Sequence, residues 1–136
     1  MAPKPGTALV GTSGYQYSHW KKVFYPTDLP QKKWFDYYAE FFDAVEINNT
    51  FYNLPEKKTF KKWQTRSPSE FQYALKFSRY GSHMKRLKPP YDYIESFLER
   101  AKILGKNLGP ILVQLPGHFE KNLPRLKDFI HEVPKE

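Results

Sequence analysis

Two charged residues interrupt stretches whose apolar alternation would otherwise run unbroken. Glu46 lies in Ala44-Val45-Glu46-Ile47-Asn48 and Lys76 in Gln72-Tyr73-Ala74-Leu75-Lys76-Phe77. Both runs have strand length, a period of two and β-branched or aromatic residues. That period turns Val45, Ile47, Tyr73, Leu75 and Phe77 to one face and leaves Ala44, Glu46, Asn48, Gln72, Ala74 and Lys76 on the other. A carboxylate and an ammonium are costly to bury unpaired, so this second face suits an ion pair. If the pair serves a ligand, Glu46 is a general base or anchor, Asn48 orients it and Lys76 tunes it. If it does not, the same residues are a structural ion pair with Asn48 capping a loop. Lys76 taken alone lacks an acid–base pattern for Schiff-base chemistry, which leaves it as a cation for phosphate or carboxylate.

Further candidates flank this pair. Gly11-Thr12-Ser13-Gly14-Tyr15 is a tight turn whose successive N–H groups and Ser13 hydroxyl suit an anion, although its glycines equally suit a plain turn. It lacks the Gly-Lys-Ser/Thr ending of a P-loop. Ser13 also has no His and Asp in series for a serine triad. Tyr15, Tyr17, Trp20, Phe24 and Tyr25 form one aromatic group, and Phe51 with Tyr52 another. Such groups either stack on bases and sugars or pack loops onto a rim. His83 follows the Gln72–Phe77 run and is placed to line a site. His19, His118 and His131 are scattered, without ligand spacing for a metal, and His131 belongs to a helix surface. Neither a metal nor a cofactor is expected. The apolar run Ile111–Leu115 carries Gln114 at its end, where glycoside hydrolysis would need a second carboxylate. The absence of cysteine removes disulfides, thiolate metal sites and cysteine nucleophiles.

The elements that must position these residues repeat as strand then helix. Apolar runs start at residues 8, 44, 72 and 111, which are 36, 28 and 39 apart. Helical spacing of apolar residues is expected over 31–42, 56–66, 92–104 and 122–133, with Gly105 as a stop and Pro124 in a first turn. Those distances are those of βαβ units, so the fold class is α/β, with a parallel sheet covered by helices. Four such units fill 136 residues, and eight would fill about 270, near the roughly 250 of a (β/α)8 barrel. The chain therefore reads as half of a TIM-type barrel. Residues 1–136 form a single domain, because no Gly/Ser linker or low-complexity tract divides them.

Composition narrows the partners. Apolar residues at 40% and charged residues at 26% are globular values, so general disorder is excluded. No apolar run reaches the roughly 20 residues that cross a bilayer, and the N-terminus lacks a signal-peptide core, so a cytoplasmic protein without membrane contact is expected. The net charge of +8 favours nucleic acid, a phosphorylated ligand or another anionic partner over a neutral metabolite. Lys57, Lys58, Lys61 and Lys62, with Lys85, Arg86 and Lys88, form either a polyanion patch or a solvated face.

With the strand ends in view, the sequence closely resembles the YecE-like family, also known as domain of unknown function 72. The matching stretches are Gly11 to Tyr15, Trp20 with Phe24-Tyr25-Pro26, and Val45 to Tyr52 with Pro55 and Trp63. Pro68, Phe71, Ala74, Lys76 and His83 follow, and Leu104-Gly105 with Gly109 to Pro116 closes a match that runs from about Gly11 to Pro134. The resemblance implies a TIM-type barrel of unsettled role, similar in fold to sugar isomerase and abasic-site endonuclease barrels. A nucleic-acid or phosphate role has been suggested for the family from that likeness. Strands five to eight of such a barrel have no counterpart in these residues.

Two functions are carried forward. In the first, a metal-independent enzyme or ligand site for a phosphorylated or nucleic-acid substrate centres on Glu46 and Lys76. Ser13, Tyr15, Asn48, Tyr52, His83 and Gln114 bind the substrate around them. In the second, the chain is a non-catalytic nucleic-acid-binding module, or a remnant without its own activity. Half a barrel leaves two sheet edges and an inner face open. Self-association as a homodimer, or a missing C-terminal half in a longer protein, is therefore expected.

Overall fold

In the computed structural model, which describes residues 5–135, four parallel strands lie in the order β1-β2-β3-β4. They are β1 (Gly11–Ser13), β2 (Ala44–Ile47), β3 (Gln72–Lys76) and β4 (Leu108–Leu112). Parallel neighbours require a crossover, and helices supply each one. These are α1 (Trp34–Tyr38) after β1, a short α2 (Asn49–Tyr52) and α3 (Lys57–Arg66) after β2, and α4 (Asp92–Ala101) after β3. α5 (Leu123–Glu132) follows β4. The register sets Ser13 beside Glu46, Glu46 beside Ala74 and Lys76 beside Leu112. This is the half-barrel expected from the repeat of strand and helix.

The alternation of apolar residues decides which face is covered. Val45, Ile47, Tyr73, Leu75 and Phe77 are buried against Phe35, Tyr38, Phe60, Phe97 and Leu104 from the helical layer. Each such side chain removed from water contributes about 1.5–3 kcal/mol. On α4 the buried residues Tyr93, Ile94, Phe97 and Ala101 recur at helical spacing, and the helix yields to a 3₁₀ segment that turns at Gly105 (φ 53°). On α3 only Phe60 is buried, and its four lysines face outward. The Tyr38 hydroxyl stitches two strands together, because it accepts the Thr12 N–H at 2.8 Å and donates to the Ala44 carbonyl at 2.9 Å.

Several boundaries differ from the sequence expectation. The first strand is Gly11–Ser13 rather than the run 8–11, because pairing with β2 begins only where Gly11 meets Ala44. A Cβ on Gly11 would lie 2.0 Å from the Ala44 carbonyl oxygen, so only glycine permits that approach. The fourth strand is Leu108–Leu112 rather than 111–115, with a register shift between Tyr73 and Leu75 that accommodates Gly109-Pro110 on an edge strand. The helix expected over 31–42 is a 3₁₀ turn at Gln31–Lys33 followed by a five-residue α1. A π-helical turn over Tyr80–Met84 was not expected. Its Gly81 lies so close to Phe77 and Tyr93 that a Cβ would sit 2.6 and 2.7 Å from their rings.

The other sheet face is open. Glu46, Asn48, Ala74 and Lys76 are half-buried, and Leu112, beside Lys76 on the same face, is 42% exposed. β1 and β4 each have one edge without a neighbouring strand among the described residues. Among the described residues, no helix is long and apolar enough to cross a membrane.

Candidate active site

Glu46 and Lys76 come together at the C-terminal end of the sheet. Glu46 is the third residue of β2 and Lys76 the last of β3, and their shared parity turns both onto the open face. Lys76 Nζ lies 3.6 Å from Glu46 Oε1, with the two side chains 19% and 23% exposed. The Ser13 hydroxyl, at the end of β1, donates to the same Oε1 at 2.7 Å. Asn48 Nδ2 in turn donates to Ser13 Oγ at 3.0 Å. The order is therefore Asn48 to Ser13 to Glu46, so Asn48 orients the carboxylate through Ser13 rather than directly. The Ser13 and Lys76 contacts both fall on Oε1, and among the described residues Oε2 has no hydrogen-bond or ion-pair partner.

The loops that leave the strands build the wall of the site. The hydroxyl of Thr50, fully buried in α2, shares its one proton between the Lys76 carbonyl at 2.7 Å and the Ile47 carbonyl at 3.1 Å, which fixes α2 across the ends of β2 and β3. That placement brings the Phe51 ring within 5.7 Å of Lys76 Nζ, a distance at which a ring face attracts an ammonium. On its other side Phe51 meets His83 edge-on, with centroids 5.0 Å apart. Buried Ser82 donates to the Ser78 carbonyl at 3.0 Å and also contacts His83 Nδ1 at 2.9 Å. Burial, followed by the charge of Arg79 and the proximity of His118, holds the His83 pKa below the ordinary imidazole value.

The remaining sequence candidates divide. Ser13, Asn48 and His83 join Glu46 and Lys76 in this chain of contacts. Tyr15 does not: its ring lies in the core against Phe35 and Tyr38, and burial raises its phenol pKa. The reason is local, because Gly14 turns at φ 76° and sends the following residue under the sheet. Tyr15 lines a crevice of about 410 Å³ together with Gly14, Tyr17, Asn48 and Trp63. Tyr52 is 66% exposed and touches Phe51, one residue removed from the pair. Gln114 is exposed, two residues past the end of β4. Of the aromatic loop, Tyr25 stacks on Trp34 at 4.4 Å and Trp20 meets Phe24 at 5.8 Å, so packing explains both. The lysines of α3 stand on the outer helical layer, where Lys58 pairs with Glu56 at 2.8 Å.

Two contributors are not apparent from the sequence. Phe51 reads there only as one of a pair of aromatics that either stack on a ligand or pack a rim, and Ser82 carries no signal; both act through contacts that depend on the folded arrangement of loops. A groove of about 540 Å³ between α4 and α5, lined by Glu95, Glu99 and Glu132, lies on the helical layer rather than at the strand ends. Among the described residues no group of three or more His, Asp or Glu side chains is arranged to hold a metal ion.

Four parallel βα units with a charged pair at the C-terminal strand ends define an open segment of a TIM-type barrel. The chain belongs to the family described as protein of unknown function DUF72, whose model matches residues 9–136. This is the family that the motifs indicated. A DUF72 family protein of Thermotoga maritima is 28% identical and superposes with a TM-score of 0.79 over 94% of this chain and 53% of its own. One from Enterococcus faecalis, at 21% identity, gives 0.66 over 93% of this chain and 49% of its own, a likeness of fold. The UPF0759 protein YunF of Bacillus subtilis is 24% identical over 102 residues, which are 71% of this chain and 36% of YunF. The chain thus spans about half the length of the solved relatives and about a third of YunF.

Proposed function

We propose that this end of the sheet is a proton-transfer site for a small phosphorylated ligand, with Glu46 as the proton acceptor and Lys76 as the counter-charge. The observation that carries the reading is the Glu46–Lys76 pair at the strand ends, with Ser13 and Lys76 both on Oε1. Chemistry in TIM-type barrels sits at that end. Before reaction the pair is neutral as a unit. When Oε2 takes a proton from a carbon beside a carbonyl, the carboxylate loses its charge and the electrons of the C–H bond pass to the carbonyl oxygen. Lys76 is then released from Glu46 to face that oxyanion, so total charge is conserved and the new anion forms beside a cation already in place. Ser13 and Asn48 hold the carboxylate; Phe51 and His83 form the wall beside Lys76.

On this reading the chain supplies the N-terminal half of a barrel, and four further βα units cover its open face. Their source is a second copy or the rest of a longer protein. A screen of phosphorylated aldehydes and ketones by thermal shift tests the site. Compounds that raise the melting temperature of the wild type should bind Glu46→Gln nearly as well and bind Lys76→Met less tightly. No stabilising compound, or one indifferent to Lys76, would contradict the proposal.

A further inference from the structure

A second hollow lies at the same end of the sheet, on the β3–β4 side. It has a volume of about 280 Å³ and is lined by Arg86, His118, Phe119, Glu120, Lys121 and Arg125. Arg86 comes from the loop after β3, and the others from the loop after β4 and the first turns of α5. Buried Leu87, whose N–H donates to the Gly81 carbonyl at 3.0 Å, anchors the turn that presents Arg86. Arg86 Nη2 donates to His118 Nε2 at 2.9 Å across 32 residues, and the Arg125 guanidinium lies 5.8 Å from the Phe119 ring. Among the described residues none of Arg86, Lys121 and Arg125 pairs with a carboxylate. Three cations against one carboxylate leave an excess of two positive charges around a small concave space. The helix end contributes little, because Pro124 has no N–H and Asn122 Oδ1 accepts the Arg125 N–H at 3.1 Å. Recognition here would come from side chains, and the guanidinium fork matches phosphate geometry.

We infer that this hollow binds the phosphate of a small phosphomonoester whose body extends toward Lys76. A hollow of about 280 Å³ has room for a phosphate group. The anion would take the Arg86 N–H that His118 Nε2 now accepts, which turns the guanidinium fork to the phosphate. The segment after β3 connects the two regions, because it carries both His83, which meets the Phe51 ring beside Lys76, and Arg86 three residues further on. The assignment of the substrate body rests on the proton-transfer reading above; the phosphate pocket does not need Glu46.

The test is a titration of the whole chain with inorganic phosphate, followed by amide and imidazole NMR shifts. Shifts centred on Arg86, His118, Lys121 and Arg125 are expected. Arg86→Gln and Arg125→Gln should each weaken binding about tenfold, the worth of one charge-assisted hydrogen bond. Lys121→Gln, on an exposed side chain, should weaken it about threefold and guards against a folding defect in the arginine variants. Glu46→Gln should leave phosphate affinity unchanged; if it does while ligand turnover is also unchanged, proton transfer fails and the pocket survives. Phosphate shifts centred on α3, or affinity indifferent to all three pocket variants, would overturn the pocket. A single-stranded oligonucleotide that outcompetes phosphate and shifts the α3 lysines would replace the small phosphomonoester with a nucleic-acid backbone.

Discussion

The Glu46–Lys76 contact makes a quantitative prediction for a double-mutant cycle. Lys76→Met keeps an unbranched stem beside Phe51 but removes the charge, and Glu46→Gln keeps an acceptor for Ser13 but removes the carboxylate. At the observed 3.6 Å, two unit charges attract by about 4.6 kcal/mol at an effective dielectric of about 20 and by about 1.2 kcal/mol in bulk water. Desolvation and the fixing of two long side chains offset most of this. With about a fifth of each side chain exposed, the coupling should exceed the roughly 0.2–1 kcal/mol of surface pairs. It should also fall short of the roughly 3–5 kcal/mol lost when a fully buried pair is broken. We expect a coupling of about 1.5 kcal/mol. Urea midpoints of the wild type, both single variants and the double variant measure it, at one protein concentration and with unchanged m-values. A coupling below about 0.3 kcal/mol would show that the charges are not in contact in solution and would remove the electrostatic basis of the site.

Three further outcomes follow from the same geometry. Gly11→Ala drives a Cβ to 2.0 Å from the Ala44 carbonyl oxygen and should destabilise by at least about 2 kcal/mol, whereas Gly117→Ala meets nothing within 4 Å and should stay within about 0.5 kcal/mol; chemical denaturation separates them. The lowered His83 pKa means that the unfolded chain binds more protons just below the ordinary value of about 6.5, so stability should rise with pH through that window and level off above it. His83→Asn should flatten the slope, and a slope unchanged in that variant would assign it to other groups. With β1 and β4 unpaired on one edge and Val10 and Leu112 exposed, the chain should self-associate, and light scattering should give a multiple of 16.2 kDa; a stable, cooperative monomer would refute this.

What the sequence disclosed, and what it hid, follows from the range of the interactions. β2 and β3 were legible because alternation is local, and one period fixes both the buried residues and the open-face position of Glu46 and Lys76. β1 was displaced because its start depends on Ala44, 33 residues away, which tolerates only a glycine beside it. β4 was displaced because its register against β3 carries an irregularity that no periodicity announces. Tyr15 was misplaced for a related reason: a positive-φ glycine reverses the direction of the next side chain. Phe51 and Ser82 could not be ranked, since their roles arise where loops from different strands meet. The Arg86–His118 contact likewise joins two loops whose proximity only the parallel sheet creates.

Hydrogen–deuterium exchange at a substrate carbon tests the central claim most directly. The chain is incubated in D2O with phosphorylated aldehydes and ketones, and loss of the carbon-bound proton beside the carbonyl is followed by proton NMR. Exchange catalysed by the wild type and reduced at least about a hundredfold in Glu46→Gln is the expected result, in keeping with the loss of a general base. Exchange that persists in Glu46→Gln, or none from the wild type across the panel, would contradict a proton-transfer role for Glu46.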